Sequence, residues 1–150
     1  MVEQLSRLSQ LIDVVPQQLD SISEASLSAR PAPNKWSDIE ILGHLCDSAV
    51  HNLSRFIHSQ IGEEPFVVQK YEQDECVRLQ HYQQTPLSDI TTLWLSLNKS
   101  IIRVVSQTPE AKYACRCQLP NGEIVTLQWL VSDYVSHMEH HLRQIAGVSI

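Results

Sequence analysis

A long amphipathic helix is predicted by the segment SDIEILGHLCDSAVHNLSRFIHSQI, residues 37–61. The segment opens with a capping box, in which the Ser37 hydroxyl and the Glu40 carboxylate each satisfy a free backbone N–H group. Apolar residues then recur at helical spacing, and Gly62 follows as a stop signal. The pattern therefore predicts one helix from Ser37 to about Ile61.

The segments on either side of this helix also have patterns that predict their structure. Apolar residues at helical spacing predict a first helix over residues 5–22, which Pro16 is expected to kink or split. The proline-containing segment 30–34 then predicts a linker. After the long helix, residues 63–70 are expected to form a loop, and residues 71–83 a shorter polar helix.

The second half of the chain predicts two more long helices with a β-hairpin between them. Thr85 is a candidate N-cap, followed by a proline at the first helical position and a long apolar stripe. Thr126 is a candidate N-cap for a last helix that ends near Ala146. Between them, two short segments flank an Asn-Gly pair at 121–122, which is the strongest short hairpin signal. The sum is an all-α four-helix bundle with one short extra helix and a small β-hairpin before the last helix.

Composition limits the classes of function. The chain has 150 residues, of which 43% are hydrophobic and 19% are charged, so we expect one globular domain over residues 1–150. Its formal net charge of -6 and its lack of a Lys/Arg run argue against nucleic-acid binding. Neither a signal peptide nor a membrane span is recognisable, so we expect a cytoplasmic protein without a membrane partner.

Three of the seven histidines lie in YVSHMEHHLRQI, residues 134–145. His137 and His141 are four residues apart, so on a helix they lie one turn apart on one face and can bind the same metal ion. At about 100° per residue, both lie at the edge of the apolar face, whereas His140 lies on the polar side. We therefore expect His137 and His141 to point into the bundle. Such a pair is also common on protein surfaces, and that interpretation stays open.

The pattern of the residues does not identify a third ligand. His44, His51 and His58 are spaced by seven residues and share one stripe of the second long helix. The stripe lies opposite the main apolar face, so the pattern predicts that all three are solvent-exposed. His81 lies in a polar segment and is also expected at the surface.

Two segments resemble the signature of the DinB/YfiT-like superfamily, and the YfiT-like branch is most similar. The first is KWSDIEILGHLCDSAVHNLSRF, residues 35–56, which contains a tryptophan, an H-x-x-D-S motif and an arginine-phenylalanine pair. The second is YVSHMEHHLRQI, with an H-x-x-x-H motif and an extra histidine beside the second ligand. The resemblance implies a four-helix bundle with an open metal site, often dimeric, so a homodimer is expected.

The resemblance implies a metal-binding triad of His44, His137 and His141. Three imidazoles leave a coordination position open, and they suit a divalent metal ion such as zinc or nickel. Such a metal activates either water or a low-molecular-weight thiol. The function implied is a metal-dependent thiol S-transferase, or alternatively a hydrolase, that acts on a small molecule.

Two neighbours of the triad are candidate catalytic residues. Asp47 is placed to orient a ligand ring, with an exposed helix carboxylate as the alternative. Arg55 is a candidate for binding a substrate carboxylate, with a surface ion pair as the alternative. Glu139 is expected to be solvated, and Trp36 is expected to pack at the end of the bundle.

Two other functions fit the same residues. One is a non-catalytic metal-binding module, dimeric through its helix faces. The other is a metal-buffering protein that also uses His51, His58 and His140.

Overall fold

A computed structural model describes residues 1–150, which are mainly helical. The helices are α1 (Val2–Leu19), α2 (Glu24–Ser28), α3 (Asp38–His58), α4 (Gln73–Gln80), α5 (Leu87–Ser106) and α6 (Leu127–Leu142). The strands are β1 (Phe66–Val67), β2 (Arg116–Gln118) and β3 (Ile124–Thr126). Two 3₁₀ turns lie at Tyr82–Gln84 and Glu110–Ala114.

The four long helices α1, α3, α5 and α6 form a bundle, which confirms the predicted fold class. α3 packs against α5 and α6, and α1 packs against the same two helices. Their apolar faces, together with apolar residues of the shorter elements and loops, form one continuous cluster of 34 buried residues, so the four helices share a single core. Burial of each large side chain there stabilises the fold by about 1.5–3 kcal/mol. None of the helices combines the length and apolar character that crossing a membrane requires.

α3 starts as predicted and ends earlier. The Ser37 hydroxyl accepts from the Glu40 N–H group at 3.4 Å, and the Glu40 carboxylate accepts from the Ser37 N–H group at 2.9 Å. The predicted end at Ile61 is wrong, because the helix ends at His58. The N–H groups of Gln60 and Ile61 bond carbonyls three residues back, and this tighter spacing replaces the α-helical turn.

Pro16 does not split the first helix, so the split allowed by the sequence pattern is absent. α1 continues through Pro16 to Leu19, and the Asp20 N–H group donates to the Pro16 carbonyl at 3.0 Å. The proline lies in the last turn, so it removes one helical hydrogen bond without breaking a helix interior. The helix ends before Ile22, which lies in the following turn.

Of the two predicted threonine N-caps, Thr85 is wrong and Thr126 is confirmed. Pro86, not Thr85, occupies the N-cap position of α5, and the Thr85 hydroxyl turns back to donate to the His81 carbonyl at 3.2 Å. The cap on α6 is confirmed, since the Trp129 N–H group donates to the Thr126 hydroxyl at 3.2 Å. α6 then ends at Leu142 and not at Ala146, because the chain closes into three-residue turns.

The predicted hairpin forms, but it belongs to a larger sheet. β2 and β3 pair antiparallel, with Cys117 opposite Val125. β1 adds a third strand parallel to β2, with Phe66 opposite Cys117. β1 lies inside the predicted loop of residues 63–70, and a strand of two residues is too short to produce a period in the sequence. The sheet fixes the segment after α3 against the hairpin that leads into α6.

One polar contact lies in the centre of the core. The Tyr134 hydroxyl on α6 donates to Asn98 Oδ1 on α5 at 2.6 Å. The Asn98 amide group donates to the Trp94 carbonyl at 2.8 Å. All three residues are 0–1% exposed, so this contact joins two helices where water cannot replace it.

Candidate metal centre

Three histidines from two helices meet between α3 and α6. His44 comes from α3, and His137 and His141 come from α6; one ring nitrogen of each lies within 4.8 Å of the others. The Nε2 atoms of His44 and His137 are 3.4 Å apart. The three rings meet edge to face, with centroids 4.5 to 5.2 Å apart. All three histidines of the predicted triad therefore come together.

His44 is fully buried, so the exposure predicted from the α3 pattern is wrong for this residue. Of the other histidines on the same stripe, His51 is half-buried under the Tyr71 ring at 3.9 Å, and His58 is exposed as predicted. Periodicity alone predicts that a polar stripe on a helix faces solvent. Here the stripe faces α6 and the segment after β1, and its polar groups meet other polar groups.

One pair of the triad has the separation that a small divalent metal ion requires, whereas the three ligand nitrogens as a set lie within 4.8 Å of one another. Tetrahedral bonds of about 2.0–2.1 Å to histidine nitrogens place two such nitrogens about 3.3 Å apart, close to the 3.4 Å between His44 and His137. Burial and the neighbouring histidines lower the pKa of His44 to about 3 and that of His137 to about 4. Burial also lowers the pKa of His141. At neutral pH the rings are therefore uncharged, which is the form that binds a metal.

Gln144 orients one of the three rings, although the residue pattern does not identify it as part of the site. His141 Nδ1 lies 3.0 Å from Gln144 Oε1, so the ring donates there and keeps the Nε2 lone pair for a metal. The Gln144 amide nitrogen lies 3.1 Å from His140 Nε2. His140 itself is exposed, as predicted. The signal in the sequence is a polar residue three positions after a candidate ligand on a helix.

Packing, not a hydrogen bond, orients His44. Trp36 lies against its ring with the centroids 4.8 Å apart, in agreement with a packing role for this tryptophan. The other ring nitrogen, Nδ1, is buried and has no hydrogen-bond partner in the protein. His44 therefore lacks the carbonyl or carboxylate partner that usually fixes a metal-binding histidine.

Asp47 is buried, but its hydrogen bonds go to Tyr82 and Gln80 and not to the three histidines. Its Oδ1 atom accepts from the Tyr82 hydroxyl at 2.7 Å and from Gln80 at 3.4 Å. Burial raises the pKa of the Asp47 carboxyl, although both hydrogen bonds oppose this. The exposed-carboxylate alternative is therefore wrong, since Asp47 is only 5% exposed. The expected contact with a ligand ring is also not present.

Tyr82 connects Asp47 to the backbone beside His44. Its ring packs so closely on Gly43 that a Cβ at this position would overlap with the ring. A glycine is therefore required immediately before the buried histidine. The Tyr82 contact fixes the α3 turn that carries His44.

Arg55 is half-buried and forms no salt bridge, so the surface ion-pair alternative is wrong. Its guanidinium donates to the Gln69 carbonyl at 2.8 Å and to Asn52 Oδ1 at 3.4 Å. Burial lowers its pKa, whereas Tyr71 and Asp133 raise it. A guanidinium has five N–H donors, so Arg55 keeps donors free for a ligand.

A cavity of about 460 Å³ contains both Arg55 and one histidine of the triad. It lies between α3 and α6, and the segment after β1 and the β2–β3 hairpin form its other walls. Its polar lining includes Ser48, Asn52, Arg55, Lys70, Asp133 and His137. The cavity gives a small molecule a path to His137.

Glu139 is not solvated, contrary to the prediction. Its carboxylate forms salt bridges with Arg7 on α1 and, at 3.4 Å, with Arg143, and its side chain is 20% exposed. The residue pattern of α6 alone does not reveal that α1 packs along its polar side. Glu139 therefore joins α6 to α1 and is not part of the triad.

The chain is similar in sequence to one protein superfamily and to a curated protein named as metal-dependent. The model of the DinB superfamily matches residues 7–145. A curated protein of Halalkalibacterium halodurans, "Putative metal-dependent hydrolase BH0277", is 25% identical over 125 residues. The matched region covers 83% of this chain and 72% of that protein.

Two solved structures share the fold. YfiT from Bacillus subtilis, called a probable metal-dependent hydrolase with an unusual four-helix bundle topology, aligns with a TM-score of 0.87 at 20% identity. That alignment covers 98% of this chain and 84% of YfiT. The mycothiol-dependent maleylpyruvate isomerase aligns with a TM-score of 0.79 at 14% identity, over 98% of this chain and 61% of the isomerase. At these identities the likeness establishes the bundle topology.

Proposed function

This chain belongs to the DinB superfamily, and on that premise we propose that it is an enzyme in which His44, His137 and His141 bind a divalent metal ion. The observation that carries the proposal is the convergence of three uncharged imidazoles beside a cavity. Metal-dependent activity also appears in the names of a sequence relative and a structural neighbour. Zinc and nickel are the metals proposed, because both suit imidazole ligands.

The reaction proposed is transfer of a low-molecular-weight thiol to a small electrophile. When bound, the metal lowers the pKa of a thiol or of water and so supplies a nucleophile at neutral pH. The thiol gives its proton to solvent, a sulfur–carbon bond forms at the electrophile, and the leaving group departs with the electron pair of the bond that breaks. The name of the mycothiol-dependent isomerase associates this fold with a thiol. Hydrolysis is the second version, with water in place of the thiol.

The remaining residues have roles in binding and positioning. Arg55 binds a carboxylate of the substrate through its free N–H donors. Gln144 holds His141 in the tautomer that presents Nε2. Asp47 acts indirectly. It accepts a hydrogen bond from the Tyr82 hydroxyl, and the Tyr82 ring packs on the backbone of Gly43 beside His44.

The rival function is a non-catalytic metal-binding module that dimerises. A structural zinc site has four protein ligands and no open position, whereas a catalytic site has three. The triad has three candidate ligands, and a cavity adjoins it. These two observations favour the enzyme. A cytoplasmic homodimer remains our expectation for either function.

Metal content tests the proposal directly. The protein is purified without a histidine tag, and bound metal is quantified for wild type, His137→Ala and the matched control His140→Ala. We expect about one metal ion per chain in wild type and in the control, and little in His137→Ala. Equally low metal in all three proteins would contradict the proposal, and several ions per chain would favour the metal buffer.

Thermal melting with and without a chelator separates the enzyme from the structural module. Hydrophobic burial holds the bundle together, so the metal-free enzyme is expected to keep its helical circular dichroism at 25 °C. Loss of the fold on chelation would support the structural module.

A further inference from the structure

A chain of hydrogen bonds runs along α3 inside the cavity beside the triad. The Arg55 guanidinium donates to Asn52 Oδ1 at 3.4 Å. The Asn52 amide group donates to Ser48 Oγ at 3.3 Å and to the Ser48 carbonyl at 3.0 Å. These residues are spaced by four and three positions, so they lie on one face of the helix. All three line the cavity that also contains His137, so the chain leads from a charged group toward the triad.

The direction of this chain makes the Ser48 hydroxyl a donor. A guanidinium has no acceptor, so Asn52 must present its oxygen to Arg55 and its nitrogen to Ser48. The Ser48 oxygen accepts from the Asn52 amide group, and the hydroxyl hydrogen is left for another partner. Ser48 is 2% exposed and Asn52 is 9% exposed, so water competes little for these bonds, and each bond polarises the next.

Tyr71 is the side chain that the Ser48 hydroxyl faces. Tyr71 lies in the segment between β1 and α4, and it lines the same cavity. Burial raises the pKa of Tyr71 to about 12, although the charge of Arg55 and a hydrogen bond with Ser48 oppose this rise. Tyr71 therefore keeps its proton at neutral pH. With Ser48 as a donor to its oxygen, the phenol has an O–H group of its own to give to a ligand.

Contacts from α3 fix the position of the Tyr71 ring. The ring stacks on His51 with the centroids 3.9 Å apart and the planes tilted by 15°. The Arg55 guanidinium lies 6.0 Å from the centroid of the Tyr71 ring, at the range of a cation–π contact. The same guanidinium donates to the Gln69 carbonyl, two residues before Tyr71, at 2.8 Å. The phenol is therefore positioned before a ligand arrives, as a preorganised hydrogen-bond donor must be.

The donor end of the chain lies at the triad. Ser48 follows His44 by four residues, which is one helical turn and about 6 Å along the axis. The charged end, Arg55, lies two turns further along α3. Because every hydrogen in the chain is directed away from the guanidinium, this wall of the cavity favours an oxygen that carries negative charge and disfavours a cation.

From this arrangement we propose that Tyr71, positioned by Ser48, is an oxyanion-binding residue for a carbonyl electrophile that is attacked beside the triad. The nucleophile forms a bond to the carbonyl carbon, and the π electron pair moves to the carbonyl oxygen. The Tyr71 hydroxyl donates to that oxygen and keeps its proton. The electron pair returns when the bond from carbon to the leaving group breaks. The inference rests on the proposed function and adds the class of the electrophile, a carbonyl compound such as an ester or amide.

Binding of an oxyanion to the cobalt-loaded protein tests the proposal. The probe is methylphosphonate, whose tetrahedral oxygens resemble an attacked carbonyl group, and the comparison ligand is imidazole, which binds a metal but has no oxygen. Kd is measured for each from the visible absorption of cobalt. Tyr71→Phe is expected to weaken methylphosphonate about tenfold, as the loss of a hydrogen bond to a charged group does, and to leave the Kd of imidazole unchanged. Ser48→Ala is expected to cause a smaller loss in the same direction.

Lys70→Gln is the matched control. It removes an exposed positive charge from the same cavity but no hydroxyl group. It is expected to weaken methylphosphonate less than Tyr71→Phe does. An equal or larger loss in Lys70→Gln would overturn the proposal, because general electrostatic attraction would then explain the binding. Equal weakening of methylphosphonate and imidazole in Tyr71→Phe would also overturn it, since the residue would then act through the structure of the site.

The outcomes also separate this inference from the proposed function. Failure of the wild type to bind cobalt would refute the metal site itself. Cobalt binding without any methylphosphonate binding, or with a Kd that neither Tyr71→Phe nor Ser48→Ala changes, would refute the oxyanion site alone. Tyr71→Phe keeps the ring that stacks on His51, so the variant retains the contact that fixes this segment.

Discussion

His44 Nε2 and His137 Nε2 lie 3.4 Å apart, although 93 residues of chain separate them. Two imidazolium ions cannot share that distance in a buried site, because each proton repels the other and neither is hydrated. The contact therefore disfavours the doubly protonated pair, and burial lowers the pKa of both rings. The first prediction follows from this contact.

Acid is expected to destabilise the metal-free protein. The pKa values of His44 and His137 in the folded state, about 3 and about 4, lie below the value of about 6.5 for an unfolded chain. The unfolded state thus binds more protons between these values, so stability is highest above about pH 6.5 and falls as the pH is lowered. Melting of chelated wild type from pH 8 to pH 5 measures this, with His44→Gln/His137→Gln as control. An equal pH slope in the two proteins would count against it.

Removal of the Gln144 side chain is expected to weaken metal binding. Gln144→Ala leaves His141 Nδ1 without its acceptor, and loss of such a partner typically costs about 10–100-fold in metal affinity. Competition with a chromogenic chelator measures the change. His140→Ala removes the other partner of Gln144 and is expected to have a much smaller effect; a larger effect for His140→Ala would reverse the assignment.

Gly43→Ala is expected to destabilise the protein through the Tyr82 ring. The new methyl group overlaps with that ring, and overpacking of this kind typically costs about 1–3 kcal/mol. Urea unfolding measures the cost, and the same substitution in a Tyr82→Ala background is the control. The glycine substitution should cost less there, because the obstructing ring is gone. An equal cost in both backgrounds would show that the contact is not the cause.

Tyr134→Phe is expected to destabilise the core by about 1–3 kcal/mol, because it leaves the buried Asn98 Oδ1 atom without its donor. Urea unfolding of the metal-free protein measures this. In the double variant Tyr134→Phe/Asn98→Leu, both partners are replaced by apolar groups, so the two costs should not add. Simple additivity would contradict a direct bond between the two side chains.

The apolar pattern of the sequence predicted most of the fold and part of the site. All four long helices were expected, and so was the apolar face of α6 that positions His137 and His141 at its edge. Those two residues follow from one helix alone, because their spacing fixes their direction. The boundaries of the helices were less predictable, since α3 and α6 end in turns that depend on tertiary contacts.

The rest of the site depends on contacts between elements. His44 lies on a polar stripe, and only the resemblance pointed to it, because periodicity does not reveal that a second polar surface covers the stripe. The pattern of α6 places Glu139 in solvent for the same reason, because one helix alone does not reveal that α1 packs beside it. Asp47 and Tyr82 are 35 residues apart, so nothing in the local pattern connects them.

The three histidines are unequally buried, so the site is closed at the His44 side and open to solvent at the α6 side. His44 is 0% exposed, whereas His137 and His141 are half-buried. In the proposed metal site, an ion arriving from solvent would meet the α6 pair first and His44 last, and it would depart in the reverse order. We therefore expect His44 to limit the release of the ion and the α6 pair to limit its capture.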